Sequence, residues 1–146
     1  PESLIYAGSR TGSRRVLEQY VDTVLEGLST GAYSCLCHPD LVDFAGDGAF
    51  YRKQMRRLCE GVKKMGIPLE INLLGLGEGR HYPNERFWTI AGETGNRAII
   101  GVDAHDPASI GKHRIFEAAL ALAERCGLEV EERMEFSATA PWRQRL

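Results

Sequence analysis

The chain has 146 residues, 43% hydrophobic and 26% charged, with a formal net charge of −2. Those values describe one ordinary globular domain and give no electrostatic case for nucleic acid as a partner. No stretch approaches the roughly 18 apolar residues of a membrane span, and the polar start PESLIYAGSRTGSRR lacks the apolar segment of a signal peptide, so a cytoplasmic protein without membrane contact is expected.

In chain order, Val16/Leu17, Tyr20/Val21, Val24/Leu25 and Leu28 recur at helical spacing and predict a helix over 13–29, with Ser13 as N-cap and Gly31 as stop. AYSCLCH (32–38) reads as a strand ending at His38-Pro39-Asp40. Tyr51, Met55, Leu58, Val62 and Met65 predict a helix over 48–65 that Gly66 closes, and Pro68 turns the chain into the strand LEINLLGL. The Gly-rich loop GLGEGRHYP precedes a third helix over 84–94. NRAIIGVDAH is the next strand, apolar enough to be buried on both faces. Pro107 is read as the start of a fourth helix, with Ile110, Phe116, Ala119, Leu120 and Ala123 on one side and Gly127 at its end, and LEVEERMEF is the last strand. Four strands separated by helices imply parallel crossovers, hence an α/β sheet or barrel in one domain spanning residues 1–146.

The four cysteines are Cys35, Cys37, Cys59 and Cys126. Without a Cys-x-x-Cys pair a thiolate zinc site is not expected, and the thiols are read as buried and free. Cys35 and Cys37 are read as facing opposite sides of their strand.

Ligands of α/β folds sit at the carboxyl ends of the strands. Those ends carry His38, with Asp40 just beyond; Glu70 and Asn72; and Asp103 with His105. Two imidazoles and a carboxylate are a common ligand set for Zn, Mn or Fe, and residues two apart on a strand share a face, which would aim Asp103 and His105 at one ion. Glu70 and Asn72 need buried partners. His81, in a loop, and His113, beside Lys112 and Arg114, are weaker candidates.

LCHPDL, LEINLLGL, YPN..F and IIGVDAHDP, in that order, resemble the later motifs of the polymerase and histidinol phosphatase (PHP) superfamily, in its histidinol-phosphatase-like branch, over roughly residues 6–125. The resemblance implies part of a distorted (β/α)7 barrel with up to three divalent metal ions, and hydrolysis of a small phosphate monoester in histidine biosynthesis. It makes His38, Asp103 and His105 metal ligands, places Glu70 and Asn72 behind them, and offers Arg80 to the substrate phosphate, for which a planar two-point donor is suited. The family's opening His-x-His motif has no counterpart in the chain, so the chain is expected to correspond to the C-terminal portion of such a barrel. It would then associate with itself or sit against an N-terminal half, and the fragment alone would be short of ligands. Two rivals are a non-catalytic α/β module that binds a ligand or protein partner, and a PHP enzyme acting on nucleotides or nucleic acid.

Overall fold

The structure is a computed structural model that describes residues 8–107, 110–134 and 136. Helix α1 spans Arg14–Ser29; its N-cap Ser13 accepts from the Val16 N–H, and Leu17, Val21 and Leu28 form its buried face. Helix α2 spans Gly48–Lys64 behind the N-cap Asp47, whose carboxylate accepts from the Phe50 N–H at 2.6 Å. Strand β1 is Leu69–Asn72 and runs straight into the short helix α3, Leu73–Gly77. Helix α4, Glu85–Thr94, starts at the N-cap Asn84 and ends on the left-handed Gly95. Strand β2 is Arg97–Gly101, helix α5 is His113–Arg125 and strand β3 is Glu129–Val130.

The three strands are parallel and adjacent in chain order, β1-β2-β3, with Leu69 opposite Ala98 and Asn72 opposite Gly101. The architecture is therefore mixed α/β, as the alternating pattern predicts. Every residue of β1 is buried, because β2 covers one edge and Leu36 the other. The helical stripes of α1, α2 and α4 meet over this strand, where Leu17, Met55, Leu58, Phe87 and Trp88 are wholly buried. Each such aliphatic or Phe side chain contributes roughly 1.5–3 kcal/mol by leaving water. Asn96 ties α2 to the start of β2 by donating its amide to the Cys59 carbonyl at 2.9 Å.

Several expected elements differ. The segment 32–38 is not a strand: it pairs with β1 only at Leu36, because the chain bends at Ser34 and again at Cys37 and His38. The Gly-rich segment contains the unexpected α3, which Asn72 caps by accepting from the Gly75 N–H. The fourth helix begins at His113 rather than Pro107, since Gly111 holds φ +87°, outside the helical region; residues 108 and 109 of the expected helix lie outside the described residues. Its buried face is Ala119, Leu122 and Ala123, while Ile110, Phe116 and Leu120 are exposed. The last strand shrinks to two residues before the polar run Glu131-Glu132-Arg133. No helix among the described residues is long and apolar enough to cross a membrane.

The His38-Pro39-Asp40 turn is fastened to α4 by a buried acid. Asp40, 2% exposed, accepts from the Asn84 N–H at the cap of α4, and the Tyr20 hydroxyl donates to the Pro39 carbonyl at 2.7 Å. The Trp88 indole is near enough to favour the charged carboxylate without making a hydrogen bond to it, so Asp40 Oδ1 and Trp88 Nε1 are both buried and unsatisfied. Burial outweighs the Asn84 N–H, His81 and Trp88, and pushes the Asp40 carboxyl up to about 7. The unfolded chain releases this proton near 3.8, so between 3.8 and about 7 only the folded chain still holds it. Stability linked to Asp40 is therefore complete at acid pH, falls as pH rises through this window and is flat above it. Asp40→Asn should remove that fall, seen as a difference between wild-type and variant urea midpoints that changes across the window; a constant difference would show that Asp40 stays ionised.

Candidate active site at the strand ends

Glu70 stands at the middle of β1, 7% exposed. Its Oε2 accepts from the His38 backbone N–H at 2.9 Å and from the Asn72 side-chain amide at 3.2 Å. The same Asn72 Nδ2 donates to Asp103 Oδ2 at 3.1 Å, and Asn72 Oδ1 accepts from the Gly75 N–H at 2.8 Å. One hydrogen-bonded chain thus runs from His38 through Glu70 and Asn72 to Asp103, crossing from the Leu36 segment over β1 to the end of β2. The carboxylate lies flat over Gly101: a Cβ there would overlap Glu70 Oε1, so the close approach requires glycine.

Both ends of this chain of bonds hold strained backbone. His38 has φ +30° and Asp103 φ +50°, and they are the only non-glycine residues of positive φ among the described residues. Such a conformation costs of order 1–3 kcal/mol per residue and persists only where surrounding contacts enforce it. The bonds from the His38 N–H to Glu70 and from Asp103 to Asn72 are those contacts.

His105 is placed differently from the strand argument. β2 stops at Gly101, and Asp103 has left the pleat for the left-handed region, so two-residue alternation does not aim Asp103 and His105 together. Instead His105 folds back: its Nδ1 lies 3.0 Å from the Asp103 carbonyl and 3.8 Å from Asp103 Oδ1, with the side chain 75% exposed. Arg80 is exposed, paired with Glu78 at 2.6 Å and donating to the Tyr82 hydroxyl at 2.7 Å. Tyr82 is buried with its ring centroid 5.7 Å from that of His38, which brings Arg80 towards the rim through one intervening ring. His113 is exposed at the start of α5, and His81 bonds to the Leu41 carbonyl at 2.7 Å and meets Tyr82 edge-on.

The thiols overturn two expectations. Only Cys59 is buried, and its burial raises its thiol to about 12; Cys37 is exposed, and Cys35 and Cys126 are partly so. Cys35 and Cys37 do not face opposite sides: their sulfurs are 3.8 Å apart, as alternate residues on an extended stretch share a face. The contact lowers the Cys35 thiol and raises that of Cys37, to which burial, Glu70 and Asp103 add. The partners of Asp40 were not legible, because they come from α4, far along the chain; the sulfur contact was, since residues two apart on an extended stretch share a face.

Asp103, His38 and His105 carry donors suited to a divalent cation. Asp103 is held from behind by an amide N–H, as ligating carboxylates commonly are. His105 Nδ1 lies 3.8 Å from its Oδ1 but faces the Asp103 carbonyl at 3.0 Å as a donor, so the nitrogen His105 could offer to an ion is Nε2. Among the described residues, three or more His, Cys, Asp or Glu side chains are not gathered into a metal cage. The chain matches no known family model, no curated protein and no solved structure.

Gly101→Ala should cost about 1–3 kcal/mol in urea unfolding, since the new methyl must displace a doubly bonded buried carboxylate. The cost should shrink in a Glu70→Ala background, where the overlap is gone. Equal costs in both backgrounds would show that the Glu70 contact is not what reserves this position for glycine.

Proposed function

We propose that the chain is a metal-dependent phosphate monoester hydrolase similar to histidinol phosphatase, and that it forms part of a PHP-type (β/α)7 barrel. The observation that carries this reading is the pair of strained residues, His38 and Asp103, locked into one network by Glu70 and Asn72 at the carboxyl ends of adjacent parallel segments. Strain held by surrounding bonds concentrates where function needs a side chain in one position. The sequential strand order, without a reversal, supports barrel-like winding over a doubly wound sheet.

In this reading His38, Asp103 and His105 would hold Zn, Mn or Fe. When bound, such ions neutralise phosphate charge and make a water acidic enough to act as nucleophile near neutral pH. Asn72 holds the Asp103 carboxylate by one oxygen, and Glu70 fixes the backbone of His38. Arg80 offers its guanidinium to phosphate oxygens after exchanging Glu78 for the substrate. The substrate is a small phosphorylated alcohol rather than nucleic acid, in keeping with the net charge of −2.

A second reading, a non-catalytic module that binds a partner, is favoured by a different observation. Leu73, Leu74, Val102, Ile115 and Phe116 line a groove of about 210 Å³ between α3 and α5, and Ile110 and Leu120 are also exposed.

Metal-stripped full chain, titrated with Mn²⁺ or Zn²⁺, separates the two readings. The phosphatase reading expects calorimetric metal binding by the chain, and metal-dependent phosphate release from histidinol phosphate or p-nitrophenyl phosphate once an N-terminal half of the barrel completes the site. Asp103→Ala should abolish both while leaving the fold intact by circular dichroism. Asn72→Ala should weaken metal affinity about 10–100-fold, the usual effect of removing a group that orients a ligand. Absence of metal binding, or hydrolysis indifferent to Asp103→Ala, would overturn the assignment.

A further inference from the structure

We propose that Cys35 and Cys37 form a reversible dithiol–disulfide site, oxidised by small disulfides of the glutathione class. The two sulfurs already touch at 3.8 Å, and a disulfide bond of about 2.05 Å needs them to close by less than the diameter of one atom. The intervening Leu36 is pinned to β1 on both sides: its N–H donates to the Pro68 carbonyl at 3.1 Å, and its carbonyl accepts from the Glu70 N–H at 3.0 Å. That anchoring holds the flanking side chains on one face, so the pair is presented as a unit. The two positions also differ in access. Cys37 is exposed and open to an incoming molecule, while Cys35 is partly covered behind it. This is the arrangement of an attacking and a resolving thiol. Cys59, by contrast, is buried.

The chemistry balances with one oxidant. The pair shares a proton across the sulfur contact; when that proton sits on Cys35, the exposed Cys37 thiolate attacks one sulfur of the small disulfide, that S–S bond breaks, and the departing sulfur takes up a proton from water and leaves as a thiol. Cys37 then carries the other half as a mixed disulfide. The Cys35 sulfur, after losing its proton, attacks the Cys37 sulfur, forming the Cys35–Cys37 bond and expelling the second small thiol, which is protonated in turn. Two protein thiols are oxidised and one small disulfide is reduced to two thiols. Excess small thiol runs both steps backwards. The site adjoins His38, whose N–H is bonded to Glu70. The redox step itself is independent of the phosphatase reading.

The test equilibrates the full chain with mixtures of reduced and oxidised glutathione, quenches in acid, alkylates the free thiols under unfolding conditions and maps the peptides by mass. The expected product lacks two hydrogen atoms, joins Cys35 to Cys37, leaves Cys59 and Cys126 alkylated and reverts with excess reduced glutathione. Cys35→Ser should trap a lasting glutathione adduct on Cys37. Cys37→Ser should acquire its adduct on Cys35 roughly tenfold more slowly, because access limits exchange. A native chain that keeps the adduct on Cys37 without resolving it would overturn the proposal. So would a Cys35–Cys37 bond that forms just as fast in the urea-unfolded chain, since the folded arrangement would then contribute nothing.

Discussion

A carboxylate buried in the middle of a strand must be compensated or it destabilises the fold. Glu70 meets that demand with the His38 backbone N–H and the Asn72 amide, and it needs the bare Cα of Gly101 to lie flat. Most of the geometry at the strand ends follows from this. The His38 N–H reaches the carboxylate only if the chain bends out of its extended path, which gives His38 its positive φ and cuts the pairing with β1 to the single residue Leu36. Asn72, once committed to Glu70, has one further N–H contact and one oxygen to spend on Asp103 and on the cap of α3. The anion therefore couples three successive segments of the sheet and the start of a helix.

A second buried carboxyl performs the same task one turn away with different electrostatics. Asp40 lies among aromatic side chains, with one backbone donor at Asn84 and an unsatisfied oxygen facing the interior. Burial raises its proton affinity, and burial of the neighbouring Tyr20 and Tyr51 hydroxyls, with the Asp40 charge adding to it, keeps them protonated beyond the usual range. The His-Pro-Asp turn is consequently clamped on both sides of its proline: His38 to the sheet through Glu70, and Asp40 to α4 through Asn84. Such double fastening is what allows a strained residue to persist at an otherwise exposed edge.

The dithiol and the carboxylate network share one short segment. Leu36 is the residue whose two ladder bonds hold Cys35 and Cys37 on one face, and the next bend delivers His38 to Glu70. The segment has no room to slide without breaking one of these, because a one-residue register shift would send alternate side chains to the other face.

Hydrophobic periodicity and capping chemistry sufficed for the long helices: Ser13, Gly66 and the stripes of Leu17/Val21/Leu28 and Tyr51/Met55/Leu58/Val62 locate α1 and α2 within a residue or two. The parallel α/β class and the burial of Glu70 and Asn72 on β1 were legible for the same reason, since the apolar runs around them leave few other placements. Local pattern fails where backbone conformation is set by partners distant in sequence. It extended α5 back to Pro107 and the last strand on to Phe136, and it treated Asp103 and His105 as alternate residues of a pleat that ends at Gly101. Residue type and hydrophobic pattern were thus enough to say which residues are chemically capable and near which strand ends they lie. How they connect was settled between segments: the positive φ of His38 and Asp103 and the shared carboxylate of Glu70 arise with bonds between residues distant in sequence, which no local propensity encodes.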